Sequence, residues 1–504
     1  MLFNSFDFII FFPVTILFYY LFPVKFRNAW LLVASIFFYA CFDLRCVAVL
    51  FGVITCSYFG GRFIESAEGD GLKKAILAVT VLLCIGALGV FKYLDFFAGN
   101  INRLSGYFGM SVNKSPFSLI VPVGISFYTF KSVSYVTDVY HKKIPAEKNY
   151  IKYSLFVSFF LQITAGPIDR ADNLLKQINT PTVFNERTFR DGILLMLWGY
   201  FEKMAVADRI GGIVDAVYSD YTSYSGAAIV YATICYGIQI YADFSGYSHI
   251  SIGAAKLFGL NVKENFKQPY LAVGIKDFWS RWHISMSTWF KDYVYIPLGG
   301  NRKGRVRKYI NNMLTFLLSG LWHGSAWNYI AWGGLHGLYH IIEAGIGRIK
   351  EGFVSVLREQ GIIKNEAGVN REGNKRTFSR HLFNMVVTFI MVDYAWLFFR
   401  AEGLGMALKM TKKIFTDFRL YTVMGDWIYG LGLPELCVRS ILAYVIILFA
   451  VDVVHENGIS IIKLLDKQGL IFRWLCYVFI VLFIVLIAVQ NMGQGSADFI
   501  YFKF

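Results

Sequence analysis

The stretch YINNMLTFLLSGLWHGSAWNYIAWGGLHGLYHII, residues 309–342, runs for 34 residues without an Asp, Glu, Lys or Arg, yet it carries His323, His336 and His340. About 20 such residues cross a bilayer as a helix. A titratable imidazole within hydrocarbon is costly and calls for a reason. Gly320 and Gly324 bracket His323, and Trp322, Trp327, Tyr329 and Trp332 lie close by. Small residues clear backbone space for another helix or a ligand, while the aromatic side chains have apolar bodies and polar tips suited to lining a tunnel.

Working outward, the rest of the chain agrees that lipid is its solvent. Of 504 residues, 56% are hydrophobic and 16% charged, with a mean hydropathy of +0.49. That is too apolar for a soluble enzyme and predicts an all-α polytopic membrane protein. Spanning segments are expected near 5–23, 29–42, 46–60, 75–91, 153–165, 192–208, 226–242, 309–342, 382–399, 441–454 and 472–490. Several are short or interrupted, so about ten or eleven crossings are expected, with 118–130 (SLIVPVGISFYTF) re-entering where protein rather than lipid surrounds it.

The first segment has Asp7, no basic n-region and no small-residue cleavage site, which reads as a retained helix. Lys25 and Arg27 follow it, Arg62, Lys73 and Lys74 lie between the third and fourth spans, and five basic residues crowd 302–308. An outside N-terminus puts all of these in the cytoplasm, as the positive-inside rule asks, and the last span then leaves the C-terminus outside too. A net charge of +15 needs only membrane lipids, through anionic headgroups, as its partner, so no nucleic acid is expected. The seven Cys show no disulfide or metal-ligand spacing and read as small core residues.

Residues 92–116 read as an outside loop or surface helix, 343–380 as a cytoplasmic loop with a surface helix at 349–359, and 408–440 as an interfacial stretch containing KMTKKIFTDFRL. No repeat or linker divides the chain, so one membrane domain, 1–504, is expected. In 269–298, PYLAVGIKDFWSRWHISMSTWFKDYVYIPL, charges recur among aromatics too often for a lipid-facing helix. Amphipathic helices at the surface or folded inward are expected there, with Lys276, Asp277, Arg281, Lys291 and Asp292 satisfying one another around His283.

Three roles suit His323: a hydrogen bond to a neighbouring helix, a metal ligand, or a base. His336 and His340 stand at helical i, i+4 spacing, but no Glu completes an HExxH pattern and no Cys pair joins them, so no metal is expected and these two read as packing residues. Asp243 ends an uncharged run and is followed by Ser245 and Gly246, which predicts a broken helix whose freed backbone lines a cavity. It either caps that helix at the interface, orients a histidine, or holds the polar part of a donor. His249 is a weaker candidate near the helix end. The tail, NMGQGSADFIYFKF, crowds Phe499, Tyr501, Phe502 and Phe504 into its last six residues. A tail in water is normally polar, so 499–504 is expected to dock in a groove of the protein; packing alone accounts for that as well.

Beyond these readings, the chain resembles the membrane-bound O-acyltransferase family, in its bacterial alginate and peptidoglycan O-acetyltransferase branch. The motifs are FKYLDFF (91–97), VPVGISFYTF (121–130), LQITAGPI (161–168), QIYADFSGYSHISIG (239–253), FWSRWHISMSTWFKDYVYIPLGGNRKG (278–304), LSGLWHGSAWNYIAWGGLHG (318–337) and the terminal FIYFKF. Where many relatives have Pro in FFPQLIAGP, this chain has Leu161. The resemblance implies a ring of about ten or eleven transmembrane helices, with re-entrant and interfacial pieces, around a central funnel. It implies His323 as catalytic base, His283 along the cytoplasmic approach, and Tyr501 as a covalent acyl carrier. Asp243 is assigned to orientation or donor handling, with Trp282, Trp322, Asn328 and Trp332 lining the donor path. The implied donor is acetyl-CoA or another acyl thioester, as substrate rather than tightly bound cofactor. An SGNH-type extracytoplasmic acetyltransferase or esterase-like partner would pass the acetyl group to a surface polysaccharide, in the bacterial cytoplasmic membrane. A phenol, with a reference pKa of about 10, needs a base within hydrogen-bond reach, and a neutral imidazole suits that task. D-alanyl transfer to teichoic acid is the nearest alternative. A proton-coupled transporter would show internal symmetry, which is absent from the sequence; a non-catalytic scaffold would tolerate loss of His323.

Overall fold

Polar residues placed just ahead of apolar runs begin many of the helices. Ser5, Asp43, Asn149, Asn185, Ser225 and Ser460 each accept a backbone N–H of the first turn, satisfying a donor that the helix leaves orphaned. The computed structural model describes residues 1–108, 120–359, 378–423, 427, 431, 435–491 and 499. In chain order the helices are α1 (Phe6–Leu21), α2 (Val24–Ala40), α3 (Leu44–Ser66), α4 (Asp70–Leu88), α5 (Leu94–Tyr107), α6 (Ile125–Tyr140), α7 (Tyr150–Ser158) and α8 (Lys176–Ile178). There follow α9 (Glu186–Tyr200), α10 (Asp208–Ser219), α11 (Gly226–Leu257), α12 (Ile275–Arg281), α13 (Ile284–Phe290), α14 (Arg305–His323) and α15 (Trp327–Glu359). The last are α16 (Phe378–Arg400), α17 (Leu404–Thr416), α18 (Glu435–Glu456), α19 (Ile461–Asp466) and α20 (Leu470–Asn491). No strand occurs among the described residues.

Six helices among the described residues are long and apolar enough to cross a membrane: Leu44–Ser66, Asp70–Tyr107, Gly226–Leu257, Phe378–Arg400, Val438–Glu456 and Leu470–Gln490. The chain is thus an all-α, multi-pass membrane protein. The loops bearing Lys25 and Arg27, Lys73, Lys142 and Lys143, and Lys256 and Lys267 gather on one face. Cavities between them, and bonds such as Asn179 to Glu147 (2.6 Å) and Gln177 to the Asn261 carbonyl (2.9 Å), link these loops.

Several boundaries differ from the sequence reading, each for a local reason. The segment 92–116 is not a separate loop up to Tyr107: a π-helical turn, Gly89–Tyr93, joins α4 to α5 in one helix of 38 residues. The expected span 153–165 stops at Ser158, and an irregular buried segment follows, whose backbone is satisfied by Ser35 (to Phe160 N–H, 3.2 Å) and Ser251 (to the Leu161 carbonyl, 2.5 Å). Residues 125–140 form a helix enclosed by protein over nearly its whole length. The surface helix at 349–359 is the end of α15, and 309–342 is divided at Gly324. The 269–298 segment folds inward, with Trp282, His283 and Trp289 buried. Its charges are only partly paired within the segment: Arg281 bonds Asp277 (2.8 Å) but also Glu456 (2.6 Å), and Asp292 bonds Arg170 (2.6 Å).

The expected break at Asp243 is absent, since α11 is continuous for 32 residues. Gly246 serves close approach instead. A Cβ on Gly199 would stand 2.5 Å from the Gly246 carbonyl oxygen and one on Gly246 2.7 Å from that of Gly199; Gly192 and Gly253 repeat the arrangement at 2.7 and 2.6 Å. These four glycines let α9 and α11 pack backbone to backbone. The irregularity sits in the partner helix, as a π-helical stretch, Phe201–Ala207, between α9 and α10.

Candidate active site

His323 is the last residue of α14, where helix carbonyls lose their partners. The π turn of residues 89–93 supplies them. The Tyr93 hydroxyl donates to the Leu321 carbonyl (2.9 Å), and the Lys92 ammonium donates to those of Trp322 (2.8 Å) and His323 (3.3 Å). A cation at this end also complements the helix dipole. Gly320 and Gly324 let α15 rather than a ligand approach: a Cβ on Gly320 would strike the Tyr329 carbonyl, and one on Gly324 the Tyr329 ring. The His323 ring is held among Trp322, Trp332 and Phe399, with ring centroids at 4.8, 5.0 and 5.2 Å. It is 4% exposed, and that residual surface faces a cavity of about 130 Å³ lined by Lys92, residues 121–127, Thr164, Trp322 and His323. Gly124, at φ +72°, turns the chain there into α6.

His283 lies behind Trp322, which lines this cavity, its ring 6.1 Å from Trp322 and 4.6 Å from Phe244. It occupies the left-handed region (φ 43°) between α12 and α13, a costly conformation for a residue with a side chain. Asn265 holds it. The Asn265 amide nitrogen donates to Ser248 (3.2 Å), while its oxygen accepts from Ser285 (2.6 Å) and lies 3.3 Å from His283 Nδ1. An acceptor facing Nδ1 assigns the proton of the neutral ring to Nδ1, so that Nε2 presents the lone pair. Asn265 also lines a second cavity of about 460 Å³ on the basic face, together with Lys256, Lys267 and His455. The two cavities share no lining residue, and contacts run from one to the other through Asn265, His283 and Trp322.

Asp243 stands in an ion-pair network rather than at a helix break. Its carboxylate is 2.7 Å from Lys203 Nζ, which also meets Asp208 at 2.9 Å. The neighbouring Glu202 accepts from Ser245 (2.8 Å) and lies 2.6 Å from His249 Nδ1. The π-helical stretch thereby presents one acid and one base in succession to α11. Asn328 ties α15 to the end of α16 through the carbonyls of Phe398 (3.2 Å) and Ala401 (2.9 Å). Trp282 packs against Phe278 and Trp396, and Trp332 bridges His323 to His336, whose Nδ1 accepts from Trp279 (3.2 Å). Among the described residues, no three His, Cys, Asp or Glu side chains gather as a metal ion requires.

Of the aromatic tail, Phe499 is described: it is 1% exposed, stacks on Tyr247 (4.4 Å) and lies 6.0 Å from Phe244. Tyr247 in turn hydrogen-bonds Thr164, which lines the His323 cavity. Phe499 therefore sits between the surroundings of His283 and those of His323. Tyr501 lies outside the described residues. Lys92, Tyr93, Lys203 and Asn265 are missed by the sequence reading; Lys92, Tyr93 and Lys203 are polar residues in or beside apolar runs, which was the available signal, whereas Asn265, between Glu264 and Phe266, carries none.

Residues 137–356 match the profile of MBOAT, the membrane-bound O-acyltransferase family. The probable alginate O-acetylase of Pseudomonas syringae pv. tomato is 37% identical over 435 residues, which cover 85% of this chain and 76% of that protein. For the probable alginate O-acetylase of Pseudomonas aeruginosa the figures are 37% over 424 residues, 82% and 75%. The peptidoglycan O-acetyltransferase of Helicobacter pylori is 32% identical over 447 residues, covering 82% and 79%. The segment matched by the family profile includes Asp243, His283 and His323.

Proposed function

The chain belongs to the membrane-bound O-acyltransferase family, and from that premise we propose that it carries an acetyl group from a cytoplasmic thioester to an acceptor outside the membrane, for attachment to an alginate-like exopolysaccharide or peptidoglycan. It is a membrane-bound acyltransferase that serves an extracytoplasmic surface polysaccharide. The observation that carries the reading is the placement of the two histidines. His323 borders one cavity, and His283 is held by Asn265 at the edge of another on the basic face.

In this account the basic face is cytoplasmic, both termini are outside, and the two cavities are halves of one funnel in the bacterial cytoplasmic membrane. A phosphate-bearing donor such as acetyl-CoA enters by Lys256, Lys267 and His455, and only its acyl thioester reaches past His283. The tail docks near the junction, as the stacking of Phe499 on Tyr247 supports. His323 takes the Tyr501 hydroxyl proton as the phenolic oxygen attacks the thioester carbonyl. The C–S bond breaks, the thiolate takes the proton, and an acetyl-tyrosine ester remains. A hydroxyl of an SGNH-type partner then attacks that ester from outside and regenerates Tyr501. Aromatic walls exclude hydrolytic water, and the acyl group alone crosses the membrane. Trp322 and Trp332 shape the pocket of the base. Trp282 and Asn328 support it through packing and the α15–α16 tie, and Asp243 orients α11 through Lys203.

The test is surface-polymer O-acetylation in cells that express His323→Ala at the native level in the membrane. Loss of acetylation is expected; full acetylation would show that His323 is not the base and that the chain serves as a scaffold or carrier.

A further inference from the structure

Lys92 holds more than the end of a helix. It is half-buried in the π turn between α4 and α5, and among the described residues its Nζ has two carbonyl partners and no carboxylate. An ammonium carries three N–H donors, and the carbonyls of Trp322 and His323 take two. Those carbonyls belong to the negative end of α14, which balances part of the charge without neutralising it. Lys92 also lines the cavity that His323 lines. One wall of a small cavity thus offers a base and an unshared cationic donor, fixed to each other through the His323 main chain.

Acyl transfer places negative charge on a carbonyl oxygen as the nucleophile adds, and donors fixed in advance where that charge develops lower the barrier most. We propose that Lys92 supplies this oxyanion contact. The acceptor oxygen forms its bond to the acyl carbon while His323 takes the hydroxyl proton. The carbonyl π pair moves onto oxygen, where the third N–H of Lys92 holds it. Collapse restores the C=O bond and breaks the C–S bond, and the departing thiolate takes the proton from His323. This role rests on the acyltransferase reading above. The π turn accounts for the geometry, since the extra residue in the turn places Lys92 and Tyr93 side by side at the end of α14.

The experiment uses the full chain in lipid nanodiscs with acetyl-CoA as donor and the SGNH-type partner as acceptor, following steady-state thiol release in native, His323→Ala, Lys92→Met and Lys92→Arg proteins, with thermal unfolding of each. The proposal expects kcat to fall about 100-fold in Lys92→Met, with KM within about three-fold of native, and Lys92→Arg to restore most of the loss by returning charge and donors. An inactive His323→Ala beside a Lys92→Met with near-native kcat would overturn the oxyanion role alone. A raised KM, a lowered unfolding midpoint and no rescue by Arg would also overturn it, leaving Lys92 as a helix-end tie. Undiminished thiol release in His323→Ala would overturn the functional reading itself. If Lys92→Met does not insert, Lys92→Gln, which keeps an N–H for the carbonyls without the charge, is judged by the same kcat criterion.

Discussion

Replacing Lys203 with Met removes the ammonium that lies 2.7 Å from Asp243 and 2.9 Å from Asp208. The side chains of Lys203, Asp243 and Asp208 are 5%, 3% and 14% exposed, so water cannot take its place. At an effective dielectric of about 20, each contact is worth about 6 kcal/mol of gross attraction, most of which offsets the desolvation of the ions. What remains when one partner is deleted is the cost of uncompensated buried charge, about 3–5 kcal/mol. With about 2.1 cal/mol/K of unfolding entropy per residue, over 504 residues, that lowers the thermal midpoint by about 3–5 °C. Asp243→Asn should cost less, about 1–2 kcal/mol, because Lys203 keeps Asp208. The double variant Lys203→Met with Asp243→Asn should recover part of the single-variant loss, since one stranded carboxylate is gone. The assay is tryptophan-fluorescence melting of the purified proteins in one detergent. A Lys203→Met midpoint within 1 °C of native, or a double variant less stable than Lys203→Met, would refute the assignment of Asp243 to this network.

Two further substitutions probe the packing and the second histidine. Gly199→Ala places a methyl 2.5 Å from the Gly246 carbonyl oxygen and should cost about 1–3 kcal/mol by forcing α9 from α11, read as a lower melting midpoint, whereas Gly52→Ala, with open space around it, should not. Asn265→Ala removes the acceptor facing His283 and Ser285, and should cut acetyl transfer about 10- to 100-fold with little loss of membrane-inserted protein. Asn265→Asp, which keeps an acceptor toward Nδ1, should retain more activity than Asn265→Ala; equal loss in both would argue against the tautomer assigned to His283.

The sequence marked His323 because an uncharged run with a histidine in it is expensive in lipid, and the structure puts that residue at a cavity wall. It also signalled the inward fold of 269–298, where charges recur among aromatics. Asp243 misled for a physical reason. Glycine after a buried acid suggests a broken helix, but Gly246 serves the approach of α9, and the acid is paired by a lysine 40 residues earlier in the chain. Lys92 reads from sequence only as the first residue of the outside loop or surface helix 92–116, because it follows the apolar run 75–91. Within a folded membrane protein, the carbonyls at a helix end can hold such a cation in place of water, and no local pattern in 91–97 reveals that α14 ends there. Asn265 escaped notice because a lone asparagine in a loop carries no periodic signal; its importance comes from bringing Ser248, His283 and Ser285 together.

The central claim is that His323, as base, activates Tyr501 of the tail to take the acetyl group from the thioester. Its most direct measurement is peptide mass spectrometry of the full-length protein after incubation with acetyl-CoA, comparing the native chain with Tyr501→Phe and His323→Ala. The account predicts an acetyl adduct on Tyr501 in the native protein and none on the tail of either variant. An adduct confined to another residue, or undiminished transfer by Tyr501→Phe, would contradict it.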